Sequence, residues 1–187
     1  RDREANELYQ QFQSLYAPEK LRALPDEELL GYIFLGVNDR SLCNALEFDA
    51  QYTQFGSIAG GTAYKYNLFY SRNEETRKTS FGEGGQRSVS QEEALEIGKQ
   101  IRDALVAGAD IISNHEMLVT VNDYNDLLNA LNAVIPQYIT KMWFLKYYHM
   151  IFPHILPNFY NEAWQKHILC NLNIVPSDAQ FIRMGQI

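Results

Sequence analysis

Cysteine is scarce in this chain. Cys43 and Cys170 are the only two in 187 residues, each in an apolar setting, SLCNAL and HILCNL. Neither belongs to a C-x-x-C pair, and the histidines do not form H-E-x-x-H, because His149 and His154 are separated by Pro153 and His167 follows later. A disulfide-stapled scaffold and a structural zinc site therefore drop out. Both thiols read as buried and unbonded, as in a reducing cytoplasm. Long apolar runs are missing too: no stretch reaches the roughly 18 residues of a membrane span, and Arg1-Asp2-Arg3-Glu4 does not begin a signal peptide. The cytoplasm is the expected location, with no membrane partner. The chain starts without methionine and stops at Gly185-Gln186-Ile187, as expected of a piece cut from something longer.

Basic residues are outnumbered, 16 Lys and Arg against 23 Asp and Glu, for a net charge of −7. That balance excludes a protein that coats nucleic acid without discrimination. Two stretches depart from it. Residues 64–90 carry Lys65, Arg72, Arg77, Lys78 and Arg87 against Glu74, Glu75 and Glu83, and residues 137–167 carry Lys141, Lys146 and Lys166 against Glu162, with His149, His154 and His167 added. The acidity sits elsewhere.

Catalytic signatures are absent as well. Gly60-Gly61-Thr62 ahead of Lys65 resembles a phosphate loop, but neither G-x-x-x-x-G-K-[ST] nor G-x-G-x-x-G occurs, and the glycines read as a tight turn between strands. There is no G-x-S-x-G elbow. A Mg²⁺ nuclease needs clustered carboxylates with a lysine close by. Glu47 and Asp49 are the only candidates, and no E-x-K tripeptide exists. No catalytic residue, metal or cofactor is expected.

What the chain does have is apolar substance, 46% of its residues, with 13% aromatic, which is enough to build a core. Leu8, Phe12, Leu15 and Tyr16 predict a helix over 4–16 that Pro18 ends. Pro25-Asp26-Glu27-Glu28 opens a second, its acids favourable to the dipole and Leu29, Leu30, Ile33 and Phe34 its buried stripe. Asp39 is placed to cap a short third helix through Ala45. From Phe48 to Phe81 the pattern turns to strands, FGSI, AYKYNLFYSR and RKTSF, with Asn73 to Thr76 as a hairpin loop. Ser90-Gln91-Glu92-Glu93 is a capping box, which predicts a helix from about Gln91 to Val106, ended by Gly108. Three more helical stretches follow: from Asn122-Asp123 to Pro136, an aromatic one over 139–150, and one capped by Asn161 through Asn171. The fold class is α+β, a small antiparallel sheet packed against helices and helix-rich overall. Its parts are a helical segment 1–47, a sheet plus capped helix 48–112, and a helical part 113–187, together one compact unit.

Chemistry then rests on binding. On one parity of the 64–72 segment stand Tyr64, Tyr66 and Tyr70, a face that can line a core or meet a ligand. Tyrosine stacks on bases and Lys or Arg contacts phosphate, so the candidate DNA-binding residues are Tyr64, Lys65, Tyr66, Arg72, Arg77, Lys78 and Arg87. Trp143 and Trp164, on helical faces near Leu145 and Ile168, are assigned to the core. A protein-interaction or regulatory domain, docking a partner subunit without touching DNA, is the competing class.

The succession LEFDAQYTQFGSIAGGTAYKYNLFYSR, the capped helix EEALEIGKQIRDALVAGADII and KMWFLKYYHMIFPHILPNFYNEAWQKHIL resembles the N-terminal region of McrB-like AAA+ proteins from modification-dependent restriction systems. There a GSI-GG-(S/T)-A-x-K motif precedes a Lys-rich hairpin, and a KYxHMxFP turn leads toward the motor. The likeness covers about residues 45–187. It implies a non-enzymatic specificity module of a cytoplasmic antiviral defence ATPase that reads DNA, commonly at a modified cytosine. Translocation and cutting then belong to an AAA+ motor, through which the full-length protein is a homo-oligomer, and to a separate nuclease subunit. The motor's Walker motifs do not occur in this chain.

Overall fold

Prolines and polar caps set the helix boundaries, and apolar residues three and four apart set which faces are buried. The computed structural model describes residues 2–34, 40–58, 66, 68–72, 79–84 and 87–187. They divide into two units, Arg1–Val106 and Ala107–Ile187.

In the first unit, α1 (Asp2–Tyr16) ends before Pro18, which serves as the first residue of α2 (Pro18–Arg22), where a missing N–H costs nothing. Helix α3 (Asp26–Ile33) begins with three acids and buries Leu29, Leu30 and Ile33. For the next helix, α4 (Leu42–Glu47), the cap is Ser41, whose hydroxyl accepts from the Asn44 amide at 3.2 Å. The cap expected at Asp39 falls outside the described residues. Asp49 then caps α5 (Ala50–Thr53), accepting from Gln51 N at 2.9 Å. The expected strand over FGSI is not there. Instead Phe55 follows the α5 turn and packs its ring on Tyr9 at 4.3 Å, while Phe12 meets Tyr16 and Tyr52 at 5.0 and 5.3 Å.

The sheet has the order β1 (Leu68–Arg72), β2 (Thr79–Glu83), β3 (Arg87–Val89), antiparallel throughout. Leu68 pairs with Glu83 and Arg72 with Thr79, while Glu83 pairs in turn with Arg87 and Phe81 with Val89. Gly84 leaves β2 at φ +57°, a left-handed conformation that glycine takes without strain. Strand β3 has no signature in the sequence, because three residues are too few to show an alternation.

The capping box forms as read. Ser90 Oγ accepts from Glu93 N at 3.2 Å and the Glu93 carboxylate accepts from Ser90 N at 3.0 Å. Helix α6, however, runs Gln91–Ser113, through Gly108 rather than to it. A Cβ at Gly108 would lie 2.6 Å from Tyr148 Cζ and 2.9 Å from Ile135 Cδ1, so this glycine permits close packing rather than ending the helix.

In the second unit, α7 (Val121–Val134) starts from a second capping box, Thr120 with Asp123. Helix α8 (Met142–Ile151) is buried from Trp143 to Ile151 without interruption, on every face. Helix α9 (Glu162–Asn171) is capped by Asn161, whose Oδ1 accepts from Trp164 N at 3.0 Å. Helix α10 (Gln180–Gln186) closes the described chain and goes beyond the helices expected from the sequence. It packs on α7 through Phe181 and Tyr124, rings 5.9 Å apart. Among the described residues no helix is long and apolar enough to cross a membrane.

Candidate functional site

The sheet register decides which of the basic residues of 64–90 share a location. Arg72 closes β1 opposite Thr79, whereas Arg87 opens β3 beside Glu83 and Leu68, at the other end of the sheet. Four residues of strand separate those ends, about 13 Å at 3.3 Å per residue. Arg87 is moreover engaged. Its guanidinium meets the Glu83 carboxylate at 2.7 Å and that of Glu93 at 3.3 Å, and the Glu83 hydrogen bond holds its proton more firmly than usual. Glu93 is committed in turn, its carboxyl held low by the Ser90 amide and by Arg87. Arg87 therefore ties β3 to the start of α6, and its charge is already met by two carboxylates.

Tyr66 is corrected more sharply. Its ring is 1% exposed, its hydroxyl donates to the Cys43 carbonyl at 3.2 Å, and burial pushes its phenol well above the ordinary range. Leu68, which opens β1, is buried as well. A ring so enclosed cannot stack on a base. Tyr64, Lys65, Arg77 and Lys78 lie outside the described residues, and of Arg72 only the strand position is described.

The second basic stretch is divided between interior and surface. Lys146 is 0% exposed, and Lys166 pairs with Glu162 at 2.8 Å. His149 is buried in α8, where Nδ1–H donates to the Leu156 carbonyl at 2.6 Å and pins the turn between Pro153 and Pro157. Desolvation, with some help from the Lys146 charge, pushes the His149 pKa down to about 4. Asp49 is spent on the α5 cap and Glu47 is buried, so neither stands ready to hold Mg²⁺. Among the described residues no group of three His, Cys, Asp or Glu side chains could hold a metal ion.

Two core assignments also change. Trp143 is buried, but Trp164 is 59% exposed, with His167 edge-on at 6.0 Å and the His167 ring in turn bonded to Asn171 at 3.0 Å. Gln165 takes the buried position instead, because Arg183 requires its carbonyl: Nε donates to Gln165 Oε1 at 3.0 Å, Nη1 to the Ser177 and Asp178 carbonyls at 2.6 and 2.8 Å, and Nη2 faces Glu162 at 3.3 Å. A fully satisfied buried arginine outranks a tryptophan for that position. Leu172 and Val175 are also exposed just beyond α9. Likewise Cys43 is buried as expected, whereas Cys170 is exposed, and neither is in a disulfide.

The first unit holds one more feature, a cleft of about 430 Å³ where α3, β2 and the start of α6 meet. Comparison with known protein families, with curated proteins and with solved structures finds no match for the chain.

Proposed function

We propose that the chain is a non-enzymatic DNA-recognition module of a McrB-like restriction protein, and that it meets DNA at the Arg72–Thr79 end of the sheet. The observation that carries this reading is the antiparallel β1–β2 pair formed in the segment where the resemblance sets a basic hairpin, with Arg72 at its end and Arg77 and Lys78 directly before Thr79 in the chain. Arg87 and Tyr66 are left out of the contact set, one by its ion pairs and the other by its burial. Phosphate contacts would position the module, and base discrimination would fall to Tyr64 and Lys65. The partners of the whole protein, a motor and a nuclease subunit, follow from the same resemblance.

The test is a fluorescence-anisotropy titration of methylated, hydroxymethylated and plain duplexes at two salt concentrations. Micromolar binding that weakens as salt rises is expected, with one duplex preferred. A second reading, docking of a partner protein without DNA, is favoured by the exposed Trp164, Leu172 and Val175. Absence of binding to every duplex at low salt replaces the first reading with the second.

A further inference from the structure

We propose that the cleft between α3, β2 and α6 is a docking site for a basic side chain flanked by an apolar one on a partner protein segment. This goes beyond both readings above and depends on neither. The floor is apolar: Leu30 from α3, Phe81 from β2 and Leu95 from α6, the last two half-buried. The mouth is acidic. Asp26 and Glu27 line it from the first turn of α3, and Gln91 faces them from the start of α6. Lys99 bridges Asp26 at 2.8 Å and Glu96 at 3.1 Å, so these two acids share one cation, and Glu27 has no ion pair among the described residues. The four groups leave an excess of negative charge at the rim of an apolar hollow. Of the amides at the start of α6, that of Glu93 is taken by the Ser90 hydroxyl, and the Glu93 carboxylate adds a negative charge beside it.

Gly31 adds an independent reason. It sits within α3 and lines the cleft, and a Cβ built there meets nothing within 4 Å. Gly98, where α6 faces α3, is different: a Cβ there would meet Leu30 Cδ2 at 3.0 Å, so glycine lets the two helices approach. Glycine lowers helix stability relative to alanine, and Gly31 gains no internal packing in return. Its bare position keeps the hollow open for a side chain from outside. An aliphatic stem laid over Leu30, Phe81 and Leu95, with its cationic head at Glu27, satisfies both halves of the cleft.

The probe is acetyl-Leu-Arg-Leu-amide, titrated into the 187-residue chain and followed by amide chemical shifts, with the Leu-Gln-Leu and Leu-Glu-Leu peptides as controls. The arginine peptide is expected to bind in the millimolar range, shifting residues 26–31, 81 and 91–95, and the glutamate peptide to bind about tenfold more weakly or not at all. Gly31→Leu, which fills the hollow, should abolish these shifts without lowering the melting temperature. Glu27→Gln, an exposed isostere in a helix turn that keeps two other acids, should weaken the arginine peptide and leave the glutamine peptide unchanged. Equal affinity for all three peptides, shifts centred elsewhere, or retained binding in Gly31→Leu overturns the proposal. A short DNA duplex that displaces the arginine peptide would assign the cleft to nucleic acid and overturn it too.

Discussion

The fold resists the ionisation of His149 within the ordinary pH range. Unfolded, its imidazole titrates near its ordinary value of 6.5, while burial lowers it to about 4 in the folded chain. A depressed folded pKa means that the neutral ring contributes stability above pH 6.5, and that this contribution is lost as pH falls toward 4. The gap of some 2.5 units corresponds to about 3 kcal/mol. Urea unfolding of wild type and His149→Gln across pH 7 to 4 should show the wild type losing that much more than the variant. Two helix glycines give a second residue-scale test, with opposite signs. Gly108→Ala drives a methyl into the Tyr148 ring and Ile135 and should destabilise by about 2 kcal/mol or more. Gly31→Ala meets open space and should stabilise by up to about 1 kcal/mol. Thermal melts of the two variants, shifted in opposite directions, are the check.

At the scale of the element, caps were the most legible part of the sequence because their chemistry is contained in four consecutive residues. Ser90 with Glu93 starts α6 and Asn161 starts α9 where expected, and the first-turn acids after Pro25 start α3. Ser90→Ala should cost about 1 kcal/mol and lower the melting temperature by about 2–4 °C. Ends and faces were less legible, because distant groups decide them. Gly108 reads as a stop until Tyr148 is placed beside it, and Gln165 takes a buried position that Trp164 seemed to deserve because Arg183 arrives from α10. Helix α10 itself shows only Phe181 and Met184 as buried apolar residues, and it is held by α7 and α9 rather than by its own pattern. For the candidate site, parity placed Tyr64, Tyr66 and Tyr70 together but could not say which side of the strand meets the core. Nor could spacing show that Arg87 stands at the far end of the sheet from Arg72, since that depends on register.

For the whole molecule, the net charge is −7, and of the basic residues Lys146 is buried while Lys166 and Arg87 are paired with carboxylates. If the module meets DNA as proposed, it does so through few phosphates, and its affinity should depend on salt with a shallow slope that individual side chains visibly change. The most direct measurement is that slope, log of the association constant against log of salt concentration, for wild type, for Arg77→Ala with Lys78→Ala, and for Arg87→Ala. The slope should be lower by about 2 in the double variant and unchanged in Arg87→Ala. An unchanged slope in the double variant, or a loss on replacing Arg87 alone, would contradict the proposed contact.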